Sequence, residues 1–344
     1  MQLTLVVRGL LDLLPATLGA ADGAAPALTR LLAAASAPEP EDGAANALAC
    51  RVLGIARQTD WPVAPWLARG AGLDGSAGYW LCAEPAHFVV NRTDVRLDAL
   101  VHDLNDEEST ALRATLATHF AGDGVNVAAL DASHWLLGMR GAQSLATVPP
   151  DAIFGEPLIA HLPTGADAAR WRQWQSEMQM LLFEHPVNTA REAAARKPVN
   201  GIWIWGGGAP ALAAAPPPLA ALYSNARLPA LLASARGVVT SSLPGSLEAM
   251  RDLSSGSPAL AWLELDYSDD ASARIASLAT LDASWFAPAR GAFHNGTIRE
   301  LEILLVGRDT TLRFEARRLS LARRLRAWTS APRLSKLLAA ATTR

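Results

Sequence analysis

The densest set of chemically useful side chains runs Glu184-His185-Pro186-Val187-Asn188-Thr189-Ala190-Arg191, then Lys197-Pro198-Val199-Asn200-Gly201-Ile202-Trp203-Ile204-Trp205-Gly206-Gly207-Gly208. Within 25 residues it gathers an imidazole, two carboxamides, guanidinium and ammonium groups, and a glycine run at the end of a strand-like segment. Such groups hold phosphorylated anions: arginine offers a fork of donors, asparagine sets orientation, and a glycine-rich turn exposes backbone N–H groups. His185, Asn188, Arg191, Asn200, Gly206, Gly207 and Gly208 are therefore the candidate ligand-binding residues. A structural account fits them equally well. His185 and Asn188 would cap the preceding helix, Arg191 would be a solvated helix residue, and the glycines would permit close packing. The spacing is not that of a P-loop, which needs Gly-Lys-Ser/Thr, nor of GxGxxG, because Gly208 is followed by Ala209-Pro210-Ala211.

The elements that must position these residues are legible from periodicity and capping. Leu3, Leu5 and Val7 alternate ahead of Gly9, as in a strand entering a turn. Helices are expected over 24–35 and 44–57, an exposed connector over 37–43, a loop-rich stretch over 61–78, and over 79–90 either a buried strand pair or one strand with a bend at Pro85. Asn105-Asp106-Glu107-Glu108 is a helix start, with Leu112, Leu116 and Phe120 forming its apolar face. A second helix over 167–183 carries Trp171, Trp174, Met178 and Leu181 on one stripe, and Pro186 disfavours its continuation through His185. Strand-like 201–205 runs into the glycines, helices and strands alternate to about residue 280, and 298–306 with 311–316 reads as a hairpin. The order is α/β.

Composition narrows the classes. Half of the 344 residues are apolar and 18% are charged, as in a folded protein of more than one domain, and the net charge of −3 argues against a general nucleic-acid binder. Cys50 and Cys82 belong to no CxxC or Cys/His array, so neither a disulfide framework nor a zinc site is expected. Arg8 and Asp12 interrupt the apolar N-terminus, which is unlike a signal peptide, and a cytoplasmic location is expected. Residues 198–226 lack charge but contain Gly206 to Gly208, Pro210 and Pro216 to Pro218, which rules against a membrane-spanning helix.

The run His185-Pro-Val-Asn188, Arg191, Pro198-Val-Asn200 and Ile202-Trp-Ile-Trp-Gly-Gly-Gly208 resembles a segment of the archaeal-type, cofactor-independent phosphoglycerate mutases of the alkaline phosphatase superfamily. The Trp-Gly-Gly-Gly form, with Ala83-Glu-Pro-Ala-His87 and the helix from Asn105, is similar to bacterial regulatory proteins of the RpfE type. The resemblance implies an alkaline-phosphatase-like α/β sheet core with an inserted α/β subdomain. For true mutases it also implies two divalent metals and a serine nucleophile. The expected division is 1–78 for the first part of the core, 79–200 for the insert, 201–316 for the rest of the core, and 317–344 for a basic helix. Where the mutases place Asp-Gly-x-x-Asp, this chain has Arg8-Gly9-Leu10-Leu11-Asp12, and arginine cannot ligate a metal. The C-terminal Asp-x-x-Gly-His cluster is also missing, His294 being the one histidine after residue 185.

The leading expectation is a cytoplasmic, catalytically degenerate, mutase-like regulatory protein that binds a small phosphorylated or carboxylated ligand, with no metal and no cofactor. One alternative is an active mutase or phosphoesterase with unrecognised ligands. The other is a protein adaptor using residues 317–344, which carry eight cations and no acid. Ser241, Ser242 and Ser246 form a turn without a nucleophile elbow, and Asp266, Asp269 and Asp270 fit a helix N-terminus better than a cation site.

Overall fold

A computed structural model of the chain describes all residues except 14, 74, 76, 211–214, 251–255, 267–269, 317–332 and 343–344. It begins with β1 (Gln2–Arg8), α1 (Pro15–Ala20), α2 (Pro26–Ala34), β2 (Glu39–Asp42), α3 (Ala45–Val52) and α4 (Val63–Gly70). The middle holds β3 (Tyr79–Val90), β4 (Val95–Leu100), α5 (Asp106–Phe120), β5 (Val125–Ala129), β6 (Trp135–Met139), α6 (Ala168–Phe183), α7 (Pro186–Ala193) and β7 (Gly201–Gly208). Then come β8 (Ala221–Ser224), α8 (Arg227–Ala235), β9 (Val239–Ser241), β10 (Ala259–Glu264), α9 (Ala271–Leu281), α10 (Ala287–Asn295), β11 (Glu300–Val306), β12 (Thr310–Glu315) and α11 (Leu334–Thr342). The fold is mixed α/β and divides into two compact units, one of residues 1–53 with 217–344 and one of residues 54–216.

The first unit is built on a seven-stranded sheet, ordered β2-β12-β11-β1-β10-β8-β9. Parallel pairs join β11, β1, β10, β8 and β9, while β12 and β2 run antiparallel at one side. A parallel strand is normally covered on both faces, and β1 buries Leu3, Leu5, Val6 and Val7 while Gln2 and Thr4 stay polar near its start. Leu3, Leu5 and Val7 join a core with Leu28, Trp285 and Phe286. Residues 37–43, expected to be a connector, instead supply β2, whose Pro40 sits on a sheet edge where its missing N–H strands no partner. The expected 44–57 helix stops at Val52 because Gly54 (φ 66°) takes the left-handed conformation that ends helices. The final helix α11 packs on α1 and α2, with Ser335 held by Asp22 through its N–H (2.9 Å) and hydroxyl (2.7 Å). Most of the basic segment preceding it lies outside the described residues.

The second unit has an antiparallel sheet centred on β3. β7 takes one edge of β3, and β6 and β4 share the other. Pro85 is tolerated because its missing N–H faces the gap where pairing with β6 ends at Ala83 and pairing with β4 begins at Ala86. α5 and α6 bury Leu112, Leu116, Phe120, Trp171, Trp174 and Leu182 against one face, with Leu182 in the place expected of Leu181. The loop-rich stretch 61–78 contains α4, since Pro62 and Pro65 lie before and within the first turn, where an N–H has no helical partner to lose. Because α4 packs on β3 and β7, and β7 pairs with β3, residues 54–78 and 201–216 join the inserted unit, not the core to which they were allotted.

One long-range cap supports the first unit. α2 begins at Ala25 with no side-chain cap of its own. Buried Asp282, at the start of a π-helical turn, accepts hydrogen bonds from the N–H groups of Ala27 (3.1 Å) and Leu28 (2.8 Å). Bonds to a charged acceptor contribute about 1.5–3 kcal/mol. Asp282→Ala should therefore lower the unfolding free energy by about 1.5–3 kcal/mol, read from the midpoint of urea denaturation at unchanged slope.

Candidate functional site

The structure brings His185, Asn188, Arg191 and Asn200 into one joint, but each side chain is engaged by its own chain. His185 is the N-cap of α7: its Nδ1 accepts from the Val187 N–H (3.2 Å) while Nε2 meets Thr115 Oγ1 (3.0 Å), which fixes the neutral Nε2–H tautomer. Burial holds its pKa below the ordinary 6.5. Asn188 is buried, donates to the carbonyls of Leu182 (2.6 Å) and Val199 (2.7 Å), and accepts from the Val199 N–H (2.8 Å). Asn200 makes the same two-way link with the Phe88 backbone (2.7 and 2.8 Å). These carboxamides act as short pieces of sheet, tying the end of α6 and the start of β7 to β3.

Arg191 overturns the expectation of a solvated residue. Its side chain is 0% exposed; Nε donates to the Lys197 carbonyl (2.8 Å), Nη1 pairs with Glu108 (3.0 Å) and Nη2 with Asp103 (2.5 Å). Arg196 grips the same two acids from outside (3.0 and 2.8 Å). Burial alone would raise the pKa of Asp103 and Glu108, but donors and positive charge from Arg191 and Arg196 outweigh it, joined at Glu108 by the Asn105 N–H, and hold both below the ordinary range. Glu108 also completes the capping box with Asn105 at the start of α5.

Gly206, Gly207 and Gly208 are not a loop but the buried end of β7. A Cβ on Gly207 would come within 2.4 Å of Tyr79 Oη, and one on Gly208 within 2.6 Å of Pro62 Cβ. Gly206 (φ 66°) takes a left-handed conformation at the register shift with β3 and donates its N–H to Thr147 Oγ1 (3.0 Å). Thr147 in turn donates its hydroxyl to buried Asp60, a residue the sequence reading missed and whose carboxyl burial pushes above the ordinary range. The four polar residues thus form one packing joint, and the three glycines pack separately, at the far end of β7.

The first unit offers a different site, at the carboxyl ends of its parallel strands, where ligands of open α/β sheets bind. Arg8 ends β1 and Glu264 ends β10, paired at 3.3 Å with both side chains partly exposed. Arg274, from α9, donates to the Gly9 carbonyl (3.1 Å). Asp12 accepts the Arg308 N–H (3.0 Å). Ser241, exposed, closes β9 on the same edge. Asp270 caps α9 through the Ser272 N–H (2.8 Å), Asp269 lies outside the described residues, and His294 bonds its own helix at Arg290 (2.6 Å). Among the described residues no group of three or more His, Cys, Asp or Glu could hold a metal ion, and no helix is long and apolar enough to cross a membrane.

No protein-family model matches the chain. It is 39% identical over 70 residues to the 2,3-bisphosphoglycerate-independent phosphoglycerate mutase of Methanothrix thermoacetophila, a stretch covering 20% of this chain and 18% of that one. It is 40% identical over 70 residues to the mutase 2 of Methanothermobacter thermautotrophicus, covering 20% and 17%. The likeness to the Methanosarcina mazei mutase is 27% over 122 residues, covering 36% and 27%. The matches therefore span well under half of these relatives. Among solved structures, the cofactor-independent phosphoglycerate mutase of Thermoplasma acidophilum aligns over 93% of this chain and 90% of its own, at 16% identity and a TM-score of 0.45. Distant similarity to cofactor-independent phosphoglycerate mutases is what these comparisons establish.

Arg191 and Lys197 should separate in a stability experiment. Removing one partner of a buried ion pair costs about 3–5 kcal/mol, so Arg191→Ala should lose that much in urea denaturation without any ligand present. Lys197→Ala, which breaks an exposed pair with Asp98 (2.6 Å), should lose under about 1 kcal/mol.

His185 gives a pH signature. Its pKa in the folded chain lies below the 6.5 of the unfolded one, so stability is complete above pH 6.5 and falls as pH drops from 6.5 to the folded value. His185→Asn keeps an N-cap acceptor, and its stability curve should lose the step in that window.

Proposed function

We propose that this is a phosphoglycerate-mutase-like regulatory protein of the RpfE type, acting in the cytoplasm, that has given up metal-dependent phosphoryl transfer. It binds a small phosphorylated or carboxylated ligand at the carboxyl edge of the large sheet. One observation supports this above others: the end of the central strand carries Arg8, ion-paired to Glu264. Paired divalent ions need several carboxylates and imidazoles around them. Here a guanidinium, which has no lone pair to give, takes the place of the first acid and neutralises a second. Asp12 is turned to a backbone N–H. The donor set does not fit two metals. Arg8 and Arg274 suit an anion instead, by charge and by forked donors.

A second reading, an active mutase or phosphoesterase, is favoured by the 39–40% identity to curated mutases over 70 residues. An adaptor role for 317–344 draws on its eight cations.

Two measurements on the full chain decide between the first two readings. Incubated with Mn²⁺ and 3-phosphoglycerate, the protein should form no 2-phosphoglycerate; turnover abolished by a chelator makes it an enzyme. Titrated with phosphoglycerates and sugar phosphates, it should gain about 2.7 kcal/mol of stability at a hundredfold excess over the dissociation constant. Arg274→Gln should remove most of that gain, whereas an unchanged response would move the ligand off this edge.

A further inference from the structure

At the opposite end of the same sheet the cover is incomplete. α3 is eight residues long and packs on α8; its Leu48, Arg51 and Val52 line a hollow of about 260 Å³ together with the amino-terminal halves of β1, β10 and β11. Its floor is unusual for a central parallel sheet, which is normally apolar on both faces. Thr4 on β1 and Glu302 on β11 are register partners, and the Thr4 hydroxyl donates to Glu302 Oε2 (3.1 Å).

From there a chain of charges crosses to the helix. Arg313 Nε meets Glu302 Oε1 (2.5 Å), Arg313 Nη1 lies 3.7 Å from Glu41 Oε1, and Arg51 Nη2 lies 3.0 Å from Glu41 Oε2. The other walls are mostly hydrocarbon, among them Leu48 and Val52 of α3, Leu219, and Leu260 of β10, with the polar Gln2 beside them.

Three chemistries therefore meet in one hollow. Two guanidiniums offer donors to an anion, two carboxylates offer acceptors to a cation, and an apolar wall offers burial. The two cations balance the two acids, so a dianion gains no net attraction, and a neutral hydrocarbon would leave the charges facing apolar groups. A molecule with one carboxylate, one ammonium and an apolar body answers all three. Small-molecule sites usually measure about 300–1,000 Å³, so this one suits an occupant well below nucleotide size. We propose that the cavity beside α3 is a binding site for a free α-amino acid with an apolar side chain. The carboxylate would lie against Arg313, the ammonium against the Glu41 and Glu302 side, and the side chain on Leu48, Val52 and Leu219.

The test is calorimetric titration of the full chain with L-leucine and L-phenylalanine, beside 4-methylpentanoate, which lacks the ammonium, and 3-methylbutylamine, which lacks the carboxylate. At least one amino acid should bind saturably, and each singly charged analogue should bind about tenfold more weakly or worse. Val52→Trp, which fills the hollow from α3, and Leu219→Phe, which fills it from a lining residue outside that helix, should each abolish binding. Folding of both is checked by circular dichroism, and either folded variant suffices. No saturable binding of either amino acid, equal binding of an analogue, or binding that survives a folded cavity-filling variant overturns the proposal. The phosphate titrations at the carboxyl edge are read separately, through Arg274, so either proposal can fail alone.

Discussion

A guanidinium cannot shed its charge within a protein, and it carries five donors that all need acceptors once water is gone. Burying Arg191 therefore imposes a constraint on the whole inserted unit. Its acceptors come from Asp103 and Glu108, 88 and 83 residues away, and from the carbonyl of Lys197. To meet them, the start of α5, the end of α7 and the approach to β7 must converge. Asn188 and Asn200 then turn that convergence into a register, because each closes a two-way bond with a backbone segment and fixes where β7 begins beside β3. The tryptophan core under α6 is built around this frame.

Much of the fold was legible because its signals are local. Asn105 with Glu108 marks a helix start through bonds only three residues apart, and the spacing of Leu112, Leu116 and Phe120 reports one buried face. The hairpin of β11 and β12 announces itself through Gly307 and the alternation on either side. What escaped was set by distant partners. Nothing near Ala25 says that α2 is capped from Asp282, and no local pattern makes residues 39–42 a strand, since β2 exists only because β12 lies beside it. The candidate site shows the same limit. Side-chain types at 185–208 fit either an anion cradle or a joint, and the choice between them rests on Asp103 and Glu108, far off in sequence. Arg8 was legible as an obstacle to metal binding, but its pairing with Glu264 depends on β1 and β10 being neighbours.

The large sheet is chemically polarised along its strands. At the carboxyl ends, basic side chains stand near turns and exposed hydroxyls; at the amino ends, a balanced row of charges lines a hollow beside hydrocarbon. An open α/β sheet places its loops, and with them its adaptable chemistry, at the carboxyl ends. A polar floor at the other end has a steeper energetic cost, because it replaces apolar packing in the middle of the sheet.

The order of strands in that sheet also bears on how the chain is made. β1 precedes the inserted unit in the chain and is the central strand of the sheet, yet both its neighbours, β10 and β11, come from residues 259–306. Its apolar side chains, and the uncapped start of α2, must wait through more than two hundred residues of synthesis. Residues 54–216, by contrast, form their unit from a single continuous stretch. Since domains generally fold as units while translation proceeds, the insert can be complete while β1 still lacks both partners. Exposure of β1 to chaperones or to a second nascent chain is thus prolonged for a strand that ends up paired on both sides.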